Sequence, residues 1–180
     1  MLETYVALLR GINLGGKNKL PMKNLVRMFD DAGCDNSRSF IQSGNVIFRA
    51  STADATRLPE IITARIACDF GYRTPVLLRT TAQLRGVMSH NPFLQEGASE
   101  ERYYVMFLAN QPAQSRIDTL DPNRSPPGEF RVRGQEIYLY LPNGVAETRL
   151  TNSYFDSKLN TVSTVRNWRT VTKLLELMES

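Results

Sequence analysis

Cysteine and histidine are scarce: Cys34, Cys68 and His90 are the only ones in 180 residues. So few ligating side chains exclude both a disulfide framework and a Cys- or His-rich zinc centre. The two thiols read as inert groups of a reducing compartment, with a single Cys34–Cys68 bridge as the alternative. No apolar run approaches the roughly 20 residues of a membrane-spanning helix. The opening MLETYVALLRGIN carries an acid where a secretory leader wants positive charge, so the expectation is a cytoplasmic protein with no membrane partner. G-x-S-x-G, H-E-x-x-H and clustered carboxylates are also missing, and no catalytic residue, metal or cofactor can be named. The adjacent pairs Asp30–Asp31 and Glu100–Glu101 read as solvated charge, and a lone histidine more often caps or packs than acts as a base.

What is present is ordinary globular material, with 42% hydrophobic and 22% charged residues. The length suits one domain or two small lobes. Lys and Arg number 22 against 18 Asp and Glu, giving +4 and a sequence pI near 9.2. That balance permits an anionic ligand without requiring one.

Hydrophobic period and turn residues order the elements. ETYVALLR, from Glu3 to Arg10, reads as a strand, followed by GINLGGKNKL, a loop without period. Met22, Leu25, Met28, Phe29 and Ala32 recur at helical spacing between Pro21 and Gly33. Strands at Ser39–Gln42 and Val46–Arg49 flank Ser43-Gly44-Asn45, a tight hairpin. A second helix has its best-supported stretch from near Pro59, and TPVLLRT supplies a fourth strand. This βαββαβ order predicts a ferredoxin-like α+β half over residues 1–80.

Residues 81–180 read as a second, similar but looser α+β half. It comprises a helix at Ala82–Ser89, a strand at Arg102–Ala109, a helix near Ala113–Leu120 and a hairpin of Phe130–Arg133 with Glu136–Leu141. Two helices close it, the last from about Thr164 to Met178 with Val165, Trp168, Val171, Leu174, Leu175 and Met178 on its apolar stripe. YYVMFLANQP echoes TYVALLRGIN, a hint of duplication.

The candidate site follows from topology. In the split arrangement the loop after strand one and the strand 2–3 hairpin tip emerge at the same end of the sheet. That brings together Arg10, Gly11, Asn13, Gly15, Gly16, Lys17, Gln42, Ser43, Gly44 and Asn45. Glycines let backbone N–H groups approach a ligand, and such a nest with nearby cations suits an anion. The alternative is that the glycines and asparagines only satisfy turn geometry. Gly11 to Asn18 also fits G-x-x-x-x-G-K, but Asn18 stands where a nucleotide-binding loop needs Ser or Thr. Arg166-Asn167-Trp168-Arg169 could stack a base, although Trp168 at helical spacing reads better as core.

ALLRGINLGGKNKLPMKNL, QSGNVIF, HNPF and TNSYFDSKLN followed by TVRNWRTVTKL, taken in order, resemble the bacterial domain-of-unknown-function family 1697. The resemblance implies a paired α+β architecture of ferredoxin-like character and no established reaction. Its typical segments map onto Arg10, Gly11, Asn13, Gly16, Lys17, Gln42, Ser43, Gly44 and Asn45, and onto Thr151, Asn152, Arg166, Asn167 and Trp168. Three functional readings stay open. The first is a binding protein for a phosphorylated metabolite, nucleotide or nucleic acid at the first loop. The second is an enzyme of unrecognised type with a cleft between the halves and Arg166, Asn167 or His90 contributing. The third is an interaction module that forms a homodimer through its terminal helix.

Overall fold

The computed structural model describes residues 1–97 and 99–180, and in it the chain divides into two compact units. One comprises Met1–Arg85 with Leu174–Ser180, the other Gly86–Lys173.

In the first unit, strand β1 (Leu2–Leu9) is the central element. Tyr5 through Leu9 are all buried, so both faces of its apolar run are covered. Helix α1 (Met22–Asp31) starts directly after Pro21, whose fixed φ of −59° suits a helix entry, and buries Met22, Leu25, Met28 and Phe29. β2 (Asp35–Phe40) and β3 (Asn45–Ser51) form an antiparallel hairpin. Helix α2 (Thr52–Phe70) is followed by β4 (Val76–Thr80).

The sheet order is β2-β3-β1-β4 with every neighbour antiparallel, the ferredoxin-like split arrangement. Helices α1 and α2 cover the face carrying Tyr5, Ala7, Leu9, Val46 and Phe48. The rings of Tyr5 and Phe29 lie 5.7 and 4.9 Å from that of Phe48. Each large side chain so buried stabilises the unit by about 1.5–3 kcal/mol.

The second unit repeats the plan. It contains β5 (Tyr103–Leu108), the short α4 (Gln114–Ile117), β6 (Glu129–Arg133), β7 (Glu136–Tyr140), α5 (Asn152–Leu159) and β8 (Ser163–Asn167). Its order is β6-β7-β5-β8, again antiparallel throughout. Val6 of β1 faces Ile47 and Arg79, and Val105 of β5 faces Tyr138 and Arg166, so the two registers correspond. The helices after the last strands, α3 (Thr81–Ser89) and α6 (Trp168–Glu179), correspond as well.

Four boundaries differ from expectation. β2 runs over Asp35–Phe40 rather than Ser39–Gln42, and Ile41 and Gln42 lie in the turn that follows it. α2 opens at Thr52, well before Pro59, because the Ser51 hydroxyl accepts the Asp54 N–H at 3.2 Å and Ala55 and Leu58 are buried. An interior proline costs about 3 kcal/mol, which the packing of Leu58, Ile62 and Ile66 offsets. Thr164 to Arg166 are strand rather than helix, since the β-branched run pairs with β5 and Asn167 caps α6 by accepting the Thr170 N–H at 2.8 Å. The helix expected near Ala113–Leu120 is confined to Gln114–Ile117. Among the described residues, no helix is long and apolar enough to cross a membrane.

Cys34 is buried in the first core and Cys68 is exposed, and both are free, so the alternative of a bridge does not hold. Burial, with the carboxylates of Asp30, Asp35 and Asp54 adding to it, pushes the Cys34 thiol up to about 11. A thiol reagent at pH 8 should therefore label Cys68 rapidly in the native chain and Cys34 only on unfolding. Because the folded state holds Cys34 neutral, its contribution to stability is present below about pH 9 and is lost as pH rises through about 11. Denaturant titrations of wild type and Cys34→Ala should converge over that window, and equal pH dependence in the two would contradict the assignment.

Candidate functional site

At the end of β1 the Leu9 N–H donates to the Gly44 carbonyl at 2.9 Å, bringing the strand against the β2–β3 turn. Gly44 has φ of 79°, and a Cβ there would stand 2.8 Å from Leu9 Cβ and 2.9 Å from Ile12 Cδ1. Only glycine meets both demands. Asn45 is fully buried, and its amide donates to the Phe40 carbonyl at 3.1 Å and the Ser43 hydroxyl at 3.0 Å, holding the turn closed. The strand exit is tied from the other side by Arg10 N–H to Pro75 O at 3.3 Å and by the Thr74 hydroxyl to Arg10 O.

The loop that follows is organised around one side chain. Asn13 Nδ2 donates to the carbonyls of Leu20 and Gln42, each at 2.9 Å, while its Oδ1 accepts the Leu20 N–H at 2.8 Å. One amide thus joins the two ends of the loop and fastens it to the β2–β3 turn. Leu14 to Lys17 make a two-residue hairpin: Lys17 N–H donates to Leu14 O at 2.9 Å, and Gly15 and Gly16 have φ of 53° and 80°. Positive φ at both central residues is the type I′ pattern, which Gly-Gly adopts without strain. Asn18 Nδ2 reaches Gly11 O at 3.0 Å, and Asn18 O accepts the Tyr72 hydroxyl at 3.0 Å.

The loop residues Arg10, Gly11, Asn13, Gly15, Gly16 and Lys17 and the turn residues Gln42, Ser43, Gly44 and Asn45 therefore share one end of the first unit, joined through Asn13 and Leu9. Their surroundings differ. Gly44 and Asn45 are buried, and the Asn13 and Asn18 amides are committed to backbone partners. Gly15, Gly16, Lys17 and Gln42 are exposed, and no acceptor among the described residues reaches the Gly15 or Gly16 N–H. The G-x-x-x-x-G-K run does not fold as a phosphate-cradling loop, since its last glycines form a hairpin tip and Pro21 delays α1 to Met22.

Lys19 and Arg73 also stand exposed here, Arg73 next to the Tyr72 that bonds Asn18. Sequence reasoning missed both. The K-x-K spacing of Lys17 and Lys19 was its available sign, whereas nothing local marks Arg73.

The C-terminal candidates have local partners. Thr151 caps α5 by accepting the Tyr154 N–H at 3.3 Å, and Asn152 donates to the Ser163 hydroxyl at 2.8 Å. Trp168 is 2% exposed and offers no ring face to solvent. Arg166 is buried, which pulls its guanidinium down to about 10, and it donates to Thr164 Oγ1 and Val165 O, each at 2.8 Å. His90 Nδ1 lies 2.7 Å from Gly86 O, at the end of α3. Among the described residues, no group of three or more His, Cys, Asp or Glu side chains could hold a metal ion.

Residues 2–138 match the family described as "Protein of unknown function (DUF1697)", and the chain belongs to that family. The match spans the first loop, the β2–β3 turn and HNPF, while the last two of the segments that suggested the family lie beyond it. Among solved structures the chain is similar to the conserved bacterial protein SP0830 from Streptococcus pneumoniae, with 20% identity, 99% of each chain covered and a TM-score of 0.74. At that identity the likeness carries the fold. No curated protein matches the chain.

Gly44→Ala should cost about 2 kcal/mol or more, from a strained φ and a clash with backbone-anchored side chains. Thermal unfolding checks it, and an unchanged midpoint would contradict the packing described. Asn13→Ala should lower stability by about 1–3 kcal/mol, because it strands the Leu20 and Gln42 groups it bonds. Amide exchange should then quicken over residues 13–20, with β1 and β3 unaffected.

Proposed function

We propose that this member of the family is a binding protein whose β1–α1 loop and β2–β3 turn take an anionic, phosphate-bearing ligand. One observation carries the reading: the chain builds the same sheet twice, and only one copy has the long loop. Between β5 and α4 the connection is residues 109–113, whereas between β1 and α1 it is residues 10–21. The anchoring bond is the same in both, Leu108 N–H to Gln135 O at 2.8 Å answering Leu9 N–H to Gly44 O at 2.9 Å. The scaffold closes with the short connection, so the long one is an addition that the sheet does not need. It is also held in one shape by its own hydrogen bonds, as functional loops on rigid scaffolds commonly are.

Charge supports the same reading. From Thr4 to Phe29 there is no Asp or Glu, while Arg10, Lys17, Lys19, Lys23 and Arg27 are present. Lys17 and Lys19 supply charge, the Gly15 and Gly16 N–H groups supply donors, and the exposed Gln42 amide supplies a directional contact. Asn13 and Asn45 act as positioning residues. The cytoplasm is the compartment we favour, on the strength of two unbridged thiols.

Thermal shift against inorganic phosphate, nucleotides and phosphorylated sugars tests the reading. A ligand at 100 times its dissociation constant adds about 2.7 kcal/mol, several degrees for a chain of this size. Lys17→Glu should remove the shift and keep the unliganded midpoint. A shift that persists in Lys17→Glu would move the site elsewhere.

A further inference from the structure

Resting on that reading, we infer that the phosphate-bearing ligand is single-stranded nucleic acid, its phosphates on Lys17, Lys19 and Arg73 and its bases against Leu14 and Ile41. The shape of the site is the first ground. Leu14 is 62% and Ile41 47% exposed, and Lys17, Lys19, Gln42 and Arg73 are exposed beside them. Small ligands are enclosed by concave pockets, whereas a protruding hairpin tip can contact only part of a metabolite and suits a polymer that runs past it.

The second ground is apolar surface held in place at a cost. Ile41 has φ of 51°, a left-handed conformation that β-branched residues rarely adopt, and its side chain remains in solvent. Asn13 Nδ2 bonds Gln42 O, so the backbone next to Leu14 is tied to the backbone next to Ile41. Two apolar groups are thus offered from linked turns. Leucine and isoleucine are among the side chains that nucleic-acid proteins set against or between bases, and in a single strand the base faces are open to such contact.

Charge of one sign is the third ground. The segments 10–20, 36–45 and 72–75 carry Arg10, Lys17, Lys19, Arg38 and Arg73 and contain no Asp or Glu. The Tyr72 hydroxyl on Asn18 O brings the last of these segments to the first. Cations spaced along an edge match a chain of phosphates, each contact releasing counterions.

Fluorescence anisotropy with mixed-sequence DNA and RNA single strands of about ten nucleotides, a length within the usual site sizes, tests the inference. Three phosphate contacts predict a slope of log K on log salt near −2, at roughly −0.7 per contact. Lys17→Gln should make the slope shallower by about 0.7, the share of one contact. Leu14→Ser should weaken binding several-fold and leave the slope unchanged. Both positions are exposed, so the variants should keep the parental melting midpoint. If phosphate compounds bind but oligonucleotides bind no tighter than a mononucleotide, the inference fails and the anion site stands. Equal binding of polyglutamate, or capture by phosphatidylserine vesicles in place of oligonucleotides, would also overturn it in favour of an acidic protein or a membrane. Failure of every phosphate-bearing probe would remove both readings.

Discussion

The distance between Leu9 and Gly44 is the constraint on which the first unit and its loop both depend. A hydrogen atom is all that fits where Gly44 lacks a Cβ, so strand β1 can run on against the β2–β3 turn and Leu9 can donate its N–H there. That contact fixes where β1 ends. It also buries Ile12 beneath the turn, which places Asn13 within reach of Gln42. The loop's shape is in this sense an extension of the sheet's register, with Leu8 opposite Asn45, rather than a property of the loop sequence alone.

Comparison of the two units separates what the architecture needs from what is added to it. Arg79 and Arg166 occupy equivalent positions, and each turns a guanidinium N–H onto the carbonyl before it, at 2.9 and 2.8 Å. Thr80 and Asn167 follow and cap the next helix in the same way, accepting the Gln83 and Thr170 N–H groups. This junction recurs with an arginine in both units and with Thr80 or Asn167 as the cap, two of the residue types whose side-chain oxygens suit a helix N-terminus. The long β1–α1 loop has no counterpart between β5 and α4, and with it the second unit lacks an equivalent of Lys17, Lys19, the Gly15-Gly16 tip and the exposed Leu14.

Much of the fold was legible because its signals are local. Pro21, the spacing from Met22 to Ala32 and Gly33 define α1, and the strong apolar run of ETYVALLR announces a buried strand. β8 was hidden by Trp168 and Val171, whose helical spacing extends by chance to Val165, while its strand character depends on pairing with β5. α2 was clipped at Pro59 because proline is a local signal and the burial of Ala55 and Leu58 is a tertiary one. For the site, topology correctly joined loop and turn, but the sequence could not tell an asparagine that meets a ligand from one that holds a loop. Asn13 and Asn45 do hold loop and turn, their amide groups bonding the Gln42 and Phe40 carbonyls.

Leu174–Ser180 belong to the first compact unit, although the whole of the second lies between them and Arg85. Arg38 on β2 donates to Leu177 O and the Ser180 hydroxyl, and Arg85 pairs with Glu179 at 2.5 Å. On the ribosome, then, the unit whose strands emerge first is the one whose contacts are completed last. The polar contacts that tie this tail to Arg38 and Arg85 can form only once the second sheet has been synthesised, whereas the sheet face under α1 and α2 is covered by residues that emerge early.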